Sequence, residues 1–166
     1  MQTEAEAGRV RIATHADAEA VLSLCRMYHA EAGDGPFSDD KCRDIMRRAF
    51  TPAANAPAII GVAGIKRVEG TICVEVASPP LSDAPYLQIL WHFVRPESRK
   101  SSYSKDLLAF AKSLAEPAPV GIGLPLRVDS VVNCRTEPQS RLYSRALGEP
   151  VVQAWRYGAV INGGAS

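Results

Sequence analysis

A long hydrophobic run is missing from this sequence. The longest nearly apolar stretch, Ala56 to Ile65, falls far short of the ~20 residues a bilayer-spanning helix needs. An excess of either charge is missing too: 19 Lys and Arg stand against 18 Asp and Glu, a formal net charge of +1. With no long basic run, wholesale binding to nucleic acid or to a membrane surface has no compositional support. Cysteine is sparse. Cys25, Cys42, Cys73 and Cys134 show no Cys-x-x-Cys spacing, so they read as free thiols in a reducing cytosol. The three histidines, His15, His29 and His92, lie at no ligand spacing to one another or to cysteine, and no metal is expected. Neither a Gly-x-Ser-x-Gly elbow nor a Gly-x-x-x-x-Gly-Lys loop occurs. The aromatic residues are not interleaved with basic ones as a single-strand nucleic-acid platform. Met1 to Gly8 is acidic and Ala-rich, unlike a secretory signal, and a cytoplasmic location is expected.

What is present fits one soluble globular domain over residues 1–166, with 1–8 and 159–166 as flexible ends. Val10 to Ala13 reads as a first strand. Thr14 reads as a helix N-cap with Asp17 in the capping-box place. Val21, Leu24, Cys25 and Tyr28 share a face, which predicts an amphipathic helix over Ala16 to Ala32. Gly35-Pro36 breaks it, and Ser38 caps a second helix through Phe50. Strands follow at Ala58 to Ile65, Thr71 to Ala77 and Tyr86 to Val94, the last being the most apolar and expected at the centre. A helix from Ser102 to Ala115, a strand from Leu126 to Asn133, a helix from Glu137 to Leu147 and a final strand at Val151 to Tyr157 complete the order βααβββαβαβ.

One junction in that order carries chemistry. Between the strand ending at Val94 and the helix starting near Ser102 lies a basic, Ser-rich turn that includes Pro96. A strand–turn–helix junction aims free backbone N–H groups and the positive end of a helix dipole at one point, which suits a phosphate. Arg99, Lys100 and the hydroxyls of Ser101, Ser102 and Ser104 add donors there.

The element order, with this turn at its centre, resembles the GNAT acetyltransferase superfamily from Val10 to Gly158. Arg99-Lys100-Ser101-Ser102-Tyr103-Ser104 falls in register with the family's Arg/Gln-x-x-Gly-x-Gly/Ala acetyl-CoA motif, with Ser102 and Ser104 standing where the motif has glycines. Arg141 to Gly148 is similar to the family's late helix with its Leu-Tyr pair, here Leu142-Tyr143. The general pattern also looks similar to small acetyltransferase-like proteins of bacteria and their phages. The resemblance implies an α/β GNAT fold: a mixed, mostly antiparallel sheet with one parallel β-α-β crossover and about four flanking helices. It implies acetyl-CoA as acyl donor and a small-molecule or peptide amine as acceptor, with a homodimer as an open expectation. It places the cofactor on Phe93, Val94, Arg99, Lys100, Ser101, Ser102, Tyr103 and Ser104, between strands that splay at Val94 and Asn133. It makes Tyr143 the acid that protonates the departing thiolate.

His92, at the end of the apolar strand, is the candidate general base, with His29 and Glu31 as others and a water chain as the alternative. Strand alternation groups His92 with Gln88 and Leu90. The serines at the glycine positions also fit a second reading, a fold that has kept its shape as a binding or regulatory module without catalysis. A preference for longer acyl groups is the third.

Overall fold

The computed structural model describes residues 10–32, 35–51, 58–128 and 137–148. The expected final strand, Asn133 and both chain ends lie outside the described residues. The elements are β1 (Val10–Ile12), a short 3-10 turn (His15–Asp17), α1 (Ala18–Ala32), α2 (Asp39–Phe50), β2 (Ala58–Ala63), β3 (Gly70–Ala77), β4 (Tyr86–Val94), a second 3-10 turn (Pro96–Ser98), α3 (Tyr103–Ala115), β5 (Leu126–Val128) and α4 (Glu137–Leu147).

Among the described residues five strands form one mixed sheet in the order β1-β2-β3-β4-β5. The first three pairings are antiparallel, and β4 runs parallel to β5 over Leu87 to Ile89. α3 lies between β4 and β5 in the chain, so strand, helix and strand make the crossover that a parallel pair requires. The sheet is covered on both faces. On one, Val21, Leu22 and Cys25 of α1 and Cys42 and Met46 of α2 pack on Ile60, Val62, Cys73 and Trp91. On the other, Leu107, Leu108, Ala111 and Leu114 of α3, with Tyr143 of α4, pack on Ile72, Val74, Leu87, Ile89 and Val94. Each fully buried leucine or isoleucine in these layers contributes ~2 kcal/mol of transfer free energy. The thiols of Cys25, Cys42 and Cys73 are buried and unpaired as disulfides, and burial pushes that of Cys73 well above its usual range.

Local chemistry explains where two elements differ from expectation. β2 stops at Ala63 rather than Ile65 because Gly64 has φ of +133°, and a Cβ there would sit 2.0 Å from the Arg67 carbonyl oxygen. The chain turns at once, and the Glu69 amide donates to the Ala63 carbonyl. α1 starts later than expected because the first turn after Thr14 is 3-10.

That turn is tied down by Asp17. Its carboxylate accepts from both Arg11 Nη atoms at 2.7 Å and from the Thr14 amide at 2.8 Å. The hydrogen bonds from Arg11 lower the Asp17 pKa to about 2 against the opposing effect of burial. The folded pKa lies below the unfolded one, so this stabilisation is present above about pH 4 and is lost as pH falls through about 2. Because Arg11 is largely exposed, Asp17→Asn is expected to lower unfolding free energy at pH 7 by about 1–2 kcal/mol. Urea titration of both proteins checks this, with the difference shrinking towards zero at pH 2.

Candidate functional site

The site is built where the apolar run of β4 ends. Pro96 opens a 3-10 turn, Ser102 follows with φ −79° and ψ −6°, and α3 begins at Tyr103. Glu69, at the foot of β3, anchors this turn. Its carboxylate accepts from Ser98 Oγ at 2.9 Å and from Arg67 Nε at 2.7 Å, and its carbonyl accepts from the Arg95 amide at 2.8 Å. Ser101 Oγ donates to the Ser98 carbonyl at 2.6 Å and accepts from the Tyr103 amide at 3.2 Å. The turn is therefore docked by hydrogen bonds, one of which, to Ser101 Oγ, takes up the first amide of α3.

The two serines in glycine places need no glycine backbone. Among the described residues no non-glycine residue has positive φ. Both hydroxyls are engaged by other side chains: Ser102 Oγ donates to Asp106 Oδ2 at 2.7 Å, one turn along α3, and Ser104 Oγ lies 3.2 Å from the buried His92 Nε2. Lys100 is exposed.

His92 is the residue the sequence places wrongly. The β3–β4 register slips by one residue: Cys73 faces Trp91, but Val74 faces Ile89. Leu90 is the extra residue of a β-bulge, and such an insertion resets the in–out alternation beyond it. Trp91 consequently packs with α1 and α2, while His92 sits on the face of Leu87, Ile89 and Val94 rather than with Gln88 and Leu90. There its Nδ1 meets Tyr143 Oη at 2.8 Å, with the two rings edge to face and 5.7 Å apart. The imidazole thus bridges α3 and α4. A neutral ring has one N–H, so the Tyr143–His92–Ser104 chain runs in one sense or the other, each hydroxyl donating or accepting accordingly. Burial lowers the His92 pKa to about 4, partly offset by the Ser104 backbone. The ring is neutral at pH 7 and, with both nitrogens engaged, is placed to hold Tyr143 rather than to receive an amine proton directly.

Arg99 folds back across the strand end. Its Nε donates to the Val94 carbonyl at 3.2 Å, its guanidinium lies 5.4 Å from the Phe93 ring centre, and its Nη2 donates to both oxygens of Glu31 at 2.6 and 2.7 Å. Sequence reasoning set Arg99 and Glu31 in separate roles. They are 68 positions apart, and no local pattern announces the pair. His29 is engaged elsewhere, with Nε2 2.7 Å from the Gly35 carbonyl and its ring 5.5 Å from that of Phe37. Asn133 lies outside the described residues. A groove of about 540 Å³ between α3 and α4 has Leu108 and Leu142 in its floor and Lys105, Lys112, Arg141 and Arg145 around it, which extends the basic surface away from the turn.

No family model and no curated protein matches the sequence. Solved structures do match. A GCN5-related N-acetyltransferase from Ralstonia eutropha JMP134 superposes with a TM-score of 0.64 at 18% identity, over 89% of this chain and 96% of that one. The chain has the GCN5-related N-acetyltransferase fold. An acetyltransferase from Trypanosoma brucei shares this acetyltransferase fold at a TM-score of 0.61 and 15% identity, over 90% of this chain and 98% of that one. A predicted acetyltransferase from Clostridium acetobutylicum, solved with acetyl-CoA, matches at 0.64 and 12% identity, over 90% and 94%. Within the acetyltransferase fold of this chain, the described residues contain no helix long and apolar enough to cross a membrane and no group of three or more His, Cys, Asp or Glu that could hold a metal ion.

Proposed function

We propose that the protein is an acetyl-CoA-dependent N-acetyltransferase that transfers the acetyl group to a primary amine by direct attack in a ternary complex. The observation that carries this reading is the Tyr143–His92–Ser104 chain, whose last member stands in the first turn of α3, next to the basic turn that suits a diphosphate.

The residues fit the donor. The turn from Arg99 to Ser104 keeps ordinary backbone dihedrals, and its two motif serines engage Asp106 and His92. Although the Arg99, Ser101 and Tyr103 amides are bonded within the turn, the α3 N-terminus still offers its dipole and the later amides of its first turn to phosphate oxygens. Arg99 and Lys100 supply charge, and the strand end at Phe93 and Val94 leads into the turn. Acetyl-CoA, when bound, supplies the activated acetyl thioester. The chain's own contribution is proton management and positioning. Tyr143 Oη lies 2.8 Å from Nδ1 of a neutral imidazole. When the phenol gives its proton to the departing thiolate, the Nδ1–H tautomer of His92 hydrogen-bonds the phenolate, Ser104 Oγ holds that tautomer through Nε2, and water returns the proton to the phenol. A group with a pKa of about 4 is a weak base at neutral pH, so removal of the amine proton falls to water.

The test is isothermal titration of the protein with acetyl-CoA and with CoA. Micromolar binding is expected, and no binding at millimolar ligand would sink the reading in favour of a non-catalytic module.

A further inference from the structure

Resting on that function, we infer that Arg99 occupies a cation site that it vacates for the acceptor. Three groups converge on its guanidinium: both oxygens of Glu31, the carbonyl of Val94, and the Phe93 ring, whose face suits a cation. Together they form a cradle for an alkylammonium or alkylguanidinium head, and Arg99 itself is the stand-in. The same arginine belongs to the turn that receives phosphates, so it cannot serve both partners at once. Arg99 and Glu31 are each about half exposed, which makes the pair weak enough to exchange. A diphosphate at the α3 N-terminus draws Arg99 away. This leaves the Glu31 carboxylate, the Val94 carbonyl and the Phe93 ring without their cation, a place that an incoming ammonium or guanidinium takes. The protein thereby selects a cationic amine and binds it after the donor.

The exchange has two consequences that a merely structural ion pair lacks. Removing the internal competitor should tighten donor binding, and removing the cradle should weaken cation binding to the loaded protein. Isothermal titration of CoA into wild type, Glu31→Gln and Glu97→Gln tests the first. Glu97 sits on the same turn and pairs with Arg67 instead, so it controls for general charge. Glu31→Gln is expected to bind CoA about three- to fivefold tighter, and Glu97→Gln less than twofold. Equal gains in both variants, or none in Glu31→Gln, overturn the exchange.

The second arm titrates 4-aminobutylguanidine into CoA-saturated wild type and CoA-saturated Glu31→Gln. At least a fivefold loss in the variant is expected, and equal binding or none to wild type overturns the cation site. If CoA binds neither protein, the acetyltransferase reading fails. The first arm repeated with inorganic pyrophosphate then decides the exchange on its own: tightening in Glu31→Gln upholds it and unchanged affinity ends it.

Discussion

Replacing Tyr143 by Phe is expected to lower acetyl transfer at least ~100-fold while CoA affinity changes less than twofold. The phenol is one oxygen in a packed environment. Tyr143 is 6% exposed, its ring lies edge to face with His92, and it belongs to the α3-side core. Phe keeps that ring and its contacts, so the fold survives. It removes only the hydroxyl 2.8 Å from His92 Nδ1. Loss of a positioned general acid removes roughly 10²- to 10⁴-fold in rate, which sets the scale. Turnover of acetyl-CoA with a panel of primary amines, followed by thiol release, gives kcat for both proteins. Unchanged kcat would remove Tyr143 from the chemistry and leave it as a core aromatic.

Acid is expected to destabilise the protein through His92 well before it protonates most carboxylates. The folded pKa of about 4 lies below the ordinary value of 6.5 because the ring is buried. Below pH 6.5 the unfolded chain takes up a proton that the folded one refuses, so stability falls as pH drops from about 6.5 and levels off below about 4. The separation between those two values corresponds to about 3 kcal/mol at the low end. Asp17 titrates lower still, so the two losses occur in separate windows. Urea unfolding at pH 7, 5.5 and 4.5 resolves the first. A His92→Gln variant, which retains a polar side chain but does not titrate, should show a flat profile over that range. A flat profile in the wild type would mean that the imidazole is solvated in solution.

Much of the fold is legible from spacing alone. The helix at Ala18–Ala32 follows from Val21, Leu24, Cys25 and Tyr28, and the α3 face from Leu107, Leu108, Ala111 and Leu114, because a 3.6-residue period leaves its mark on composition. The order of strands is readable from apolar runs bounded by Gly and Pro, and the basic turn between β4 and α3 from its Pro, Arg, Lys and Ser residues. The site is less so. The Leu90 bulge leaves no trace in a run as apolar as Tyr86 to Val94, since both sheet faces demand hydrophobic residues. Strict alternation therefore assigns His92 to the wrong face. The partnership of Ser104 with His92 and of Glu31 with Arg99 depends on tertiary placement, and a serine in a glycine position reads as a loss until its hydroxyl is seen bonded.

The bulge also makes β4 two half-strands joined out of phase. The half from Tyr86 to Ile89 is shared between β3 and β5 and serves as scaffold. The half from Trp91 to Val94 presents an indole to one layer and an imidazole to the other. Adding or removing one residue in the first half leaves the second in its own phase only if the bulge absorbs the change. The insertion at Leu90 is thus a slip joint, which separates the part of the strand answerable to packing from the part answerable to chemistry.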